Sequence, residues 1–302
     1  MEKKLQHPAV IAVLALFACL LWGSASPAVK VGYEWFEIQS VGSQILFAGY
    51  RFALAGVLTF VIGCLLEKRI LKIKSSSVPY VLGQGFLQTT IQYIFFYIGL
   101  ANAAGSKGAI ISGTSALWAI IAAHFILKSE KMTAKKWLGC MLGFFGVIVV
   151  NRDSGMTSGT LIGFGEAMLL ISTIAYGISS VTVKLLSERE RPVTITAYQL
   201  FLGGVILTII GWVLGGTVEG FTVASTMLFI YLAFLSTVAF TIWTLLLKYN
   251  PVGKISIYLF AIPICGVLLS GLILRETIFT LNNLLALLLV SAGVIMVNRK
   301  SS

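Results

Sequence analysis

The chain has 302 residues, 58% of them hydrophobic and only 11% charged, with a formal net charge of +11. A soluble domain carries about 25% charged residues to clothe its surface, so this composition excludes one and points to lipid as the solvent. The Lys and Arg residues sit in short clusters between apolar runs, with no recognition motif for nucleic acid, which excludes a nucleic-acid partner and leaves the pattern of membrane-protein loops.

A bilayer core takes roughly 20 apolar residues per helix. Apolar runs bounded by charge, Pro or Gly predict ten helices, at 9–30, 41–66, 78–100, 104–127, 134–150, 160–185, 193–214, 225–248, 252–274 and 280–298. The expected fold class is therefore an all-α membrane protein with ten transmembrane helices. Pro79, Pro192 and Pro251 fall at helix starts, where a missing N–H costs nothing. Pro27 and Pro263 fall within spans and are expected to bend or break them. Lys3 and Lys4, an apolar stretch and Ser24-Ala25-Ser26 imitate a secretory signal. Cleavage is not expected, because the segment has a partner later in the chain.

With the N-terminus inside, seventeen Lys and Arg residues collect on the cytoplasmic side, from Lys3 and Lys4 to Arg299 and Lys300. Lys30, Lys107, Arg152 and Arg275 collect outside, and Arg51 is left within a span. The positive-inside rule then places both termini in the cytoplasm, in a multi-pass protein of the inner membrane.

An internal repeat runs through this pattern. Gly146 to Arg152 (GVIVVNR) returns as Gly293 to Arg299 (GVIMVNR), 147 residues later, and the same offset aligns Lys107 with Lys254. An offset of 154 aligns Trp22-Gly23 with Tyr176-Gly177, Ser26 with Ser180 and Lys30 with Lys184. The repeat divides the chain into two halves, 1–152 and 153–302, each with five spans. Five is odd, so the second half is expected to enter the membrane from the opposite side. Inverted repeats of this kind are a signature of carriers that work by alternating access.

Several of these residues resemble the EamA-type branch of the drug/metabolite transporter superfamily. They are Trp22-Gly23 with Pro27, Arg51-Phe52, Glu130, the series Gly139, Gly143, Gly146, and then Pro263, Leu274-Arg275-Glu276 and Gly293. The resemblance covers nearly the whole chain and implies ten helices, cytoplasmic termini and transport of amino acids, other metabolites, drugs or nucleotide-linked compounds. Ala116 stands where that family often has a proline matching Pro263, so the fourth helix is expected to be straighter than the ninth.

Ionisable and amide groups inside spans are the candidates for a substrate site. Arg51 and Glu166 both lie in the outer halves of their spans and could meet, as a buried pair or as a gate. Gln84, Gln88 and Gln92 recur at i, i+4, i+8, with Tyr80 extending the row, so one helical face carries three amides. That face either bonds to a neighbouring helix or lines a path for a polar neutral or zwitterionic solute. Trp22, Trp118, Tyr176, Trp243 and Tyr258 lie well inside spans and either pack or wall a pocket. Lys30 and Lys184 are expected to snorkel to the membrane surface.

Four scattered cysteines without metal-binding spacing, and two histidines, His7 and His124, leave no cofactor or metal to expect. Gly139-xxx-Gly143 suits close packing within the chain rather than a dimer, so a monomer is expected. No enzyme motif is present. The expected function is a carrier for small organic metabolites, exporting amino acids or related compounds. Uptake of a metabolite is the alternative, with a channel or membrane enzyme as the readings from other classes.

Overall fold

A computed structural model describes residues 5–127, 131–155 and 162–298, with backbone only at 151–155 and 298. The described residues are all helix, turn and coil. They form ten helical rods. The first two are α1, Pro8–Trp35, and α2, Val41–Glu67. The third, α3, joins Val78–Gly85, a π-helical stretch Phe86–Ile91, and Gln92–Ala101. Next come α4, Gly105–Ile126, and α5, Ala134–Gly155. The second half begins with α6, Phe164–Arg189, α7, Pro192–Val213, and α8, Val223–Tyr249. It ends with α9, Val252–Ile273, and α10, Leu281–Asn298.

Seven of these, α1, α2, α4, α6, α7, α8 and α9, are long and apolar enough to cross a membrane. The π stretch interrupts α3, Lys135 and Lys136 open α5, and α10 is short. Large apolar side chains point outward along the rods, among them Val13, Phe17, Val61, Leu65, Met141, Phe145, Leu272 and Leu288. Arg51, Gln84, Gln88, Thr196 and Gln199 point inward instead. Such an arrangement suits hydrocarbon, which offers polar groups no partner.

Contacts between helix ends alternate as successive crossings require. Gln6 donates to Tyr249 O (3.4 Å) and Lys74 Nζ to Arg189 O (2.9 Å) on the face where α1 begins. That face also carries Lys68, Arg69 and Lys72 and is the Lys-rich face of the bundle. On the opposite face Lys30 Nζ donates to Ala103 O (2.6 Å). The packing also maps onto itself when each helix is exchanged for the one five places along. Helix α1 lies against α8 and α9, and α6 against α3 and α4. Likewise α2 touches α8 and α7 touches α3, while α2 pairs with α7, α4 with α9 and α5 with α10.

Glycine sets the closest of these seams. Gly42, Gly49, Gly56 and Gly63 recur every seven residues along α2. The first three face Leu214 and Gly216, Thr208, and Phe201 across α7, running antiparallel. A Cβ on Gly204 of α7 would sit 2.2 Å from Ala53 N, so no larger residue fits without parting the helices. Gly139 and Gly143 are used the same way within the chain, meeting Gly293 of α10.

The two in-span prolines differ in their setting. Helix α1 continues through Pro27 unbroken. In α9 the 3₁₀ turn Ile257–Phe260 precedes Pro263. Against the four-residue 3₁₀ turn of α9, the fourth helix is also interrupted, at the single residue Thr114. There the chain tightens, with Leu117 N donating to Thr114 O (2.9 Å), and the Thr114 hydroxyl donates to Ile111 O (2.7 Å). A hydroxyl bonding its own helix can do what proline does elsewhere.

Two large apolar clusters lie toward opposite ends of the bundle. One, nearer the Lys-rich face, contains Ile11, Ala15, Leu186, Leu246, Leu247 and Ile255. The other contains Phe36, Phe47, Phe52, Tyr97, Leu207 and Leu232. Trp22 packs against both.

Candidate functional site

Between these clusters lies a cavity of about 60 Å³. Helix α1 contributes Trp22, Ala25 and Ser26, and α3 contributes Gln92, Tyr93 and Phe96. Helix α4 adds Ser112 and Ser115, α6 adds Ser172, Thr173 and Tyr176, and α9 adds Ile262. Near its wall α1 and α9 touch backbone to backbone, since a Cβ on Gly23 would lie 2.8 Å from Cys265 Cβ. Clefts for drug-sized ligands are roughly 300–1,000 Å³, so the space as it stands accepts a small group.

Trp22 is the hub of an aromatic cluster. Its ring meets Tyr176 at 5.9 Å, Phe240 at 5.4 Å and Trp243 at 5.1 Å, all edge-on. Edge-to-face contacts hold such rings in fixed orientations. The Tyr176 hydroxyl and Trp243 Nε1 are buried and make no hydrogen bond among the described residues. Trp22, Tyr176 and Gln92 are thus brought to one cavity, with Trp243 behind its wall.

The other expected residues separate from it. The amide row does not survive, because the π stretch Phe86–Ile91 adds residues to the turn between Gln84 and Gln92 and rotates the rest of the helix. Gln84 Nε2 donates to Gln88 Oε1 (2.6 Å) and Ser179 O (3.1 Å), and Thr182 donates to Gln84 Oε1 (2.5 Å). Gln84 therefore joins α3 to α6 and holds Gln88, while Gln92 alone of the three lines the cavity. Tyr80 is exposed, under the Arg189 guanidinium at 5.1 Å.

Arg51 and Glu166 do not meet. Arg51 is 1% exposed and donates from Nε to Leu232 O (3.1 Å), from Nη1 to the Tyr97 hydroxyl (2.8 Å) and from Nη2 to Ser236 Oγ (2.9 Å). Its charge is met only by neutral groups among the described residues, and it joins α2 to α3 and α8. Glu166 lies 3.4 Å from Lys107 Nζ. Helix α6 starts at Phe164, later than the apolar run suggested, so Glu166 occupies its first turn rather than the cavity. A carboxylate there complements the helix dipole.

Trp118 stacks on Phe144 (4.7 Å) and covers Gly177, and Tyr258 accepts at its carbonyl from Cys19 Sγ (3.2 Å). Both are packing residues outside the cavity wall. Lys30 and Lys184 both carry their amino groups to helix ends. Lys30 Nζ bonds Ala103 O just past α3, and Lys184 Nζ bonds Leu247 O (3.0 Å) and Asn250 O (2.8 Å) at the end of α8. Each lysine caps the C-terminal carbonyls of the third helix of its own half, which favour a cation. Glu276 caps the start of α4, accepting from Gly105 N (2.7 Å) and Ser106 N (2.9 Å). Glu130 and the Arg299 of the terminal repeat lie outside the described residues.

Sequence reasoning missed Ser26, Tyr93, Phe96, Ser112, Ser115, Ser172 and Thr173. Hydroxyls within apolar spans carry no charge to mark them, and only spacing on one helix face, as for Ser112 and Ser115, hints at a shared wall.

The EamA-like transporter family matches residues 9–152 and 163–299. An uncharacterized transporter of Archaeoglobus fulgidus is 27% identical, over 95% of this chain and 98% of its own. The uncharacterized transporter YoaV of Bacillus subtilis is 25% identical, over 92% of each chain. A protein of Escherichia coli named "Probable amino-acid metabolite efflux pump" is 24% identical, over 92% of each. One solved crystal structure superposes with a TM-score of 0.70 at 15% identity, covering 96% of both chains, which shows a common fold.

Proposed function

The chain belongs to the EamA-like transporter family, a multi-pass membrane protein that transports small molecules and is not an enzyme, and from that premise we propose a carrier that exports amino acids or related metabolites by alternating access. One observation carries this reading. The polar and aromatic cavity lies in the interior of the bundle, between an apolar cluster toward each end, with Trp22 packed against both. In alternating access a solute in such a place leaves to one face as that cluster parts while the other stays packed.

Symmetry supports the same reading. The self-mapping of the helix contacts and the paired Lys30 and Lys184 caps fit two five-helix halves of inverted topology, 1–152 and 153–302, and ten crossings. Equivalent halves can exchange conformations across the membrane. The charge bias places the Lys-rich face and both termini in the cytoplasm of an inner-membrane protein. Trp22, Gln92 and Tyr176 then wall the substrate site. The name of the Escherichia coli relative supports amino-acid export over uptake.

The test is counterflow in proteoliposomes with a panel of amino acids and related metabolites, with and without a pH gradient. Saturable exchange of at least one solute is expected. Ion conductance without saturable exchange would instead make the protein a channel.

A further inference from the structure

Three of the cavity hydroxyls have already committed their protons. Ser112 Oγ donates to Gly108 O (2.7 Å), Ser172 Oγ to Leu169 O (2.8 Å) and Thr173 Oγ1 to Leu170 O (2.7 Å), each on its own helix. What these oxygens retain for an incoming group is lone pairs, one of those on Thr173 being taken by the Thr114 hydroxyl at 3.2 Å. Gln92 Oε1, buried and without a partner among the described residues, is a further acceptor. The remaining wall is largely the rings of Trp22, Tyr93, Phe96 and Tyr176, whose faces are electron-rich. Lone pairs and ring faces together attract an N–H-rich cation. No carboxylate lines the cavity among the described residues.

The repeat supplies an internal control. At the offset of 147, Gln92, Ser112 and Ser115 correspond to Ala239, Leu259 and Ile262. At the offset of 154, Ser172 and Thr173 correspond to Ala18 and Cys19. The Lys30 and Lys184 caps, on Ala103 O and Asn250 O, keep the same registers. Helix packing at these five positions is satisfied by apolar residues in one half, so the scaffold does not require polar ones in the other.

We propose that this one-sided polar tier, Gln92 with Ser112, Ser172 and Thr173 under Trp22 and Tyr176, is the subsite for the protonated amine of the substrate. The assignment rests on the carrier reading. Arg51 lies behind the wall, its guanidinium over the Phe52 ring (4.8 Å), which stacks on the wall residue Tyr93 (4.1 Å). A second net cation beside that permanent charge is costly. The amine therefore arrives with its own carboxylate, and the substrate class is the zwitterionic amino acid. The cavity's small volume suits the ammonium head, with the side chain housed as the helices part.

Counterflow of neutral L-amino acids is compared with that of their N-acetyl derivatives and of the matching α-hydroxy acids, which keep the carboxylate and lose the ammonium. Both replacements are expected to weaken competition by roughly 10-fold or more. Ser112→Ala and the pair Ser172→Ala/Thr173→Val are expected to weaken amino-acid affinity by a similar factor, whereas Thr208→Val, in the α2–α7 seam, leaves it unchanged. Equal exchange of hydroxy acids and amino acids overturns the subsite and leaves the carrier standing. Wild-type affinity in variants with an intact size-exclusion profile overturns it as well. Where a variant does not fold, the solute comparison on the unmodified chain decides. Absence of saturable exchange for every solute sinks the carrier reading and this assignment together.

Discussion

Replacing Arg51 by lysine is expected to cost more stability than replacing it by methionine. The guanidinium spreads three hydrogen bonds over α3 and α8, to Tyr97, Ser236 and Leu232 O, with only 1% of the residue exposed. Bonds to a charged group contribute about 1.5–3 kcal/mol each, so three offset roughly 5–9 kcal/mol of the cost of burying the ion. Lysine keeps the charge but its donors leave from a single nitrogen, which cannot span the same acceptors. Two lost bonds would withdraw roughly 3–6 kcal/mol while the ion stays buried. Methionine removes the ion together with its desolvation cost. It orphans chiefly the Tyr97 hydroxyl, because Ser236 Oγ also donates to Leu232 O (3.1 Å), a penalty of about 1–3 kcal/mol. Thermal unfolding of the purified variants in one detergent, read as the fraction surviving size-exclusion chromatography, should rank wild type above Arg51→Met and that above Arg51→Lys. An Arg51→Lys variant as stable as Arg51→Met would refute the claim that fork geometry, rather than charge, ties these helices.

The same assay separates two glycines. Gly204→Ala, with its Cβ 2.2 Å from Ala53 N, should lose at least about 1–3 kcal/mol, while Gly83→Ala, with nothing within 4 Å, should gain roughly 0.5–1 kcal/mol. Equal stabilities would show the α2–α7 seam to be looser than described. Gln92→Leu should reduce amino-acid exchange more than Gln88→Leu, because only Gln92 reaches the cavity. The reverse order in counterflow would restore a continuous amide stripe along α3. Glu276→Gln, which leaves a neutral amide with one acceptor oxygen for two N–H groups, should lower stability by about 1–2 kcal/mol. An unchanged melting profile would remove Glu276 as the cap of α4.

Chain order was enough to find the ten helices of an all-helical membrane protein. Apolar length, proline position and charge clusters are local properties that a helix in lipid must satisfy by itself. Trp22 and Tyr176 were legible as partners because the repeat superposes them, and they do meet, at 5.9 Å. Which side chains share a space is a different kind of fact. Six residues of wider turn in α3 were enough to rotate Gln92 away from Gln84 and Gln88, and no periodicity count reveals a π stretch. Glu166 left the cavity because its helix begins four residues later than the apolar run, and Arg51 found neutral partners because α8 passes beside it. The hydroxyls of the wall became visible only once α1, α3, α4 and α6 were assembled, since a serine in a span has neither charge nor bulk to announce a role. Local hydrophobicity decides that a helix enters the membrane; the rotation of each helix against its neighbours decides what it shows to a substrate.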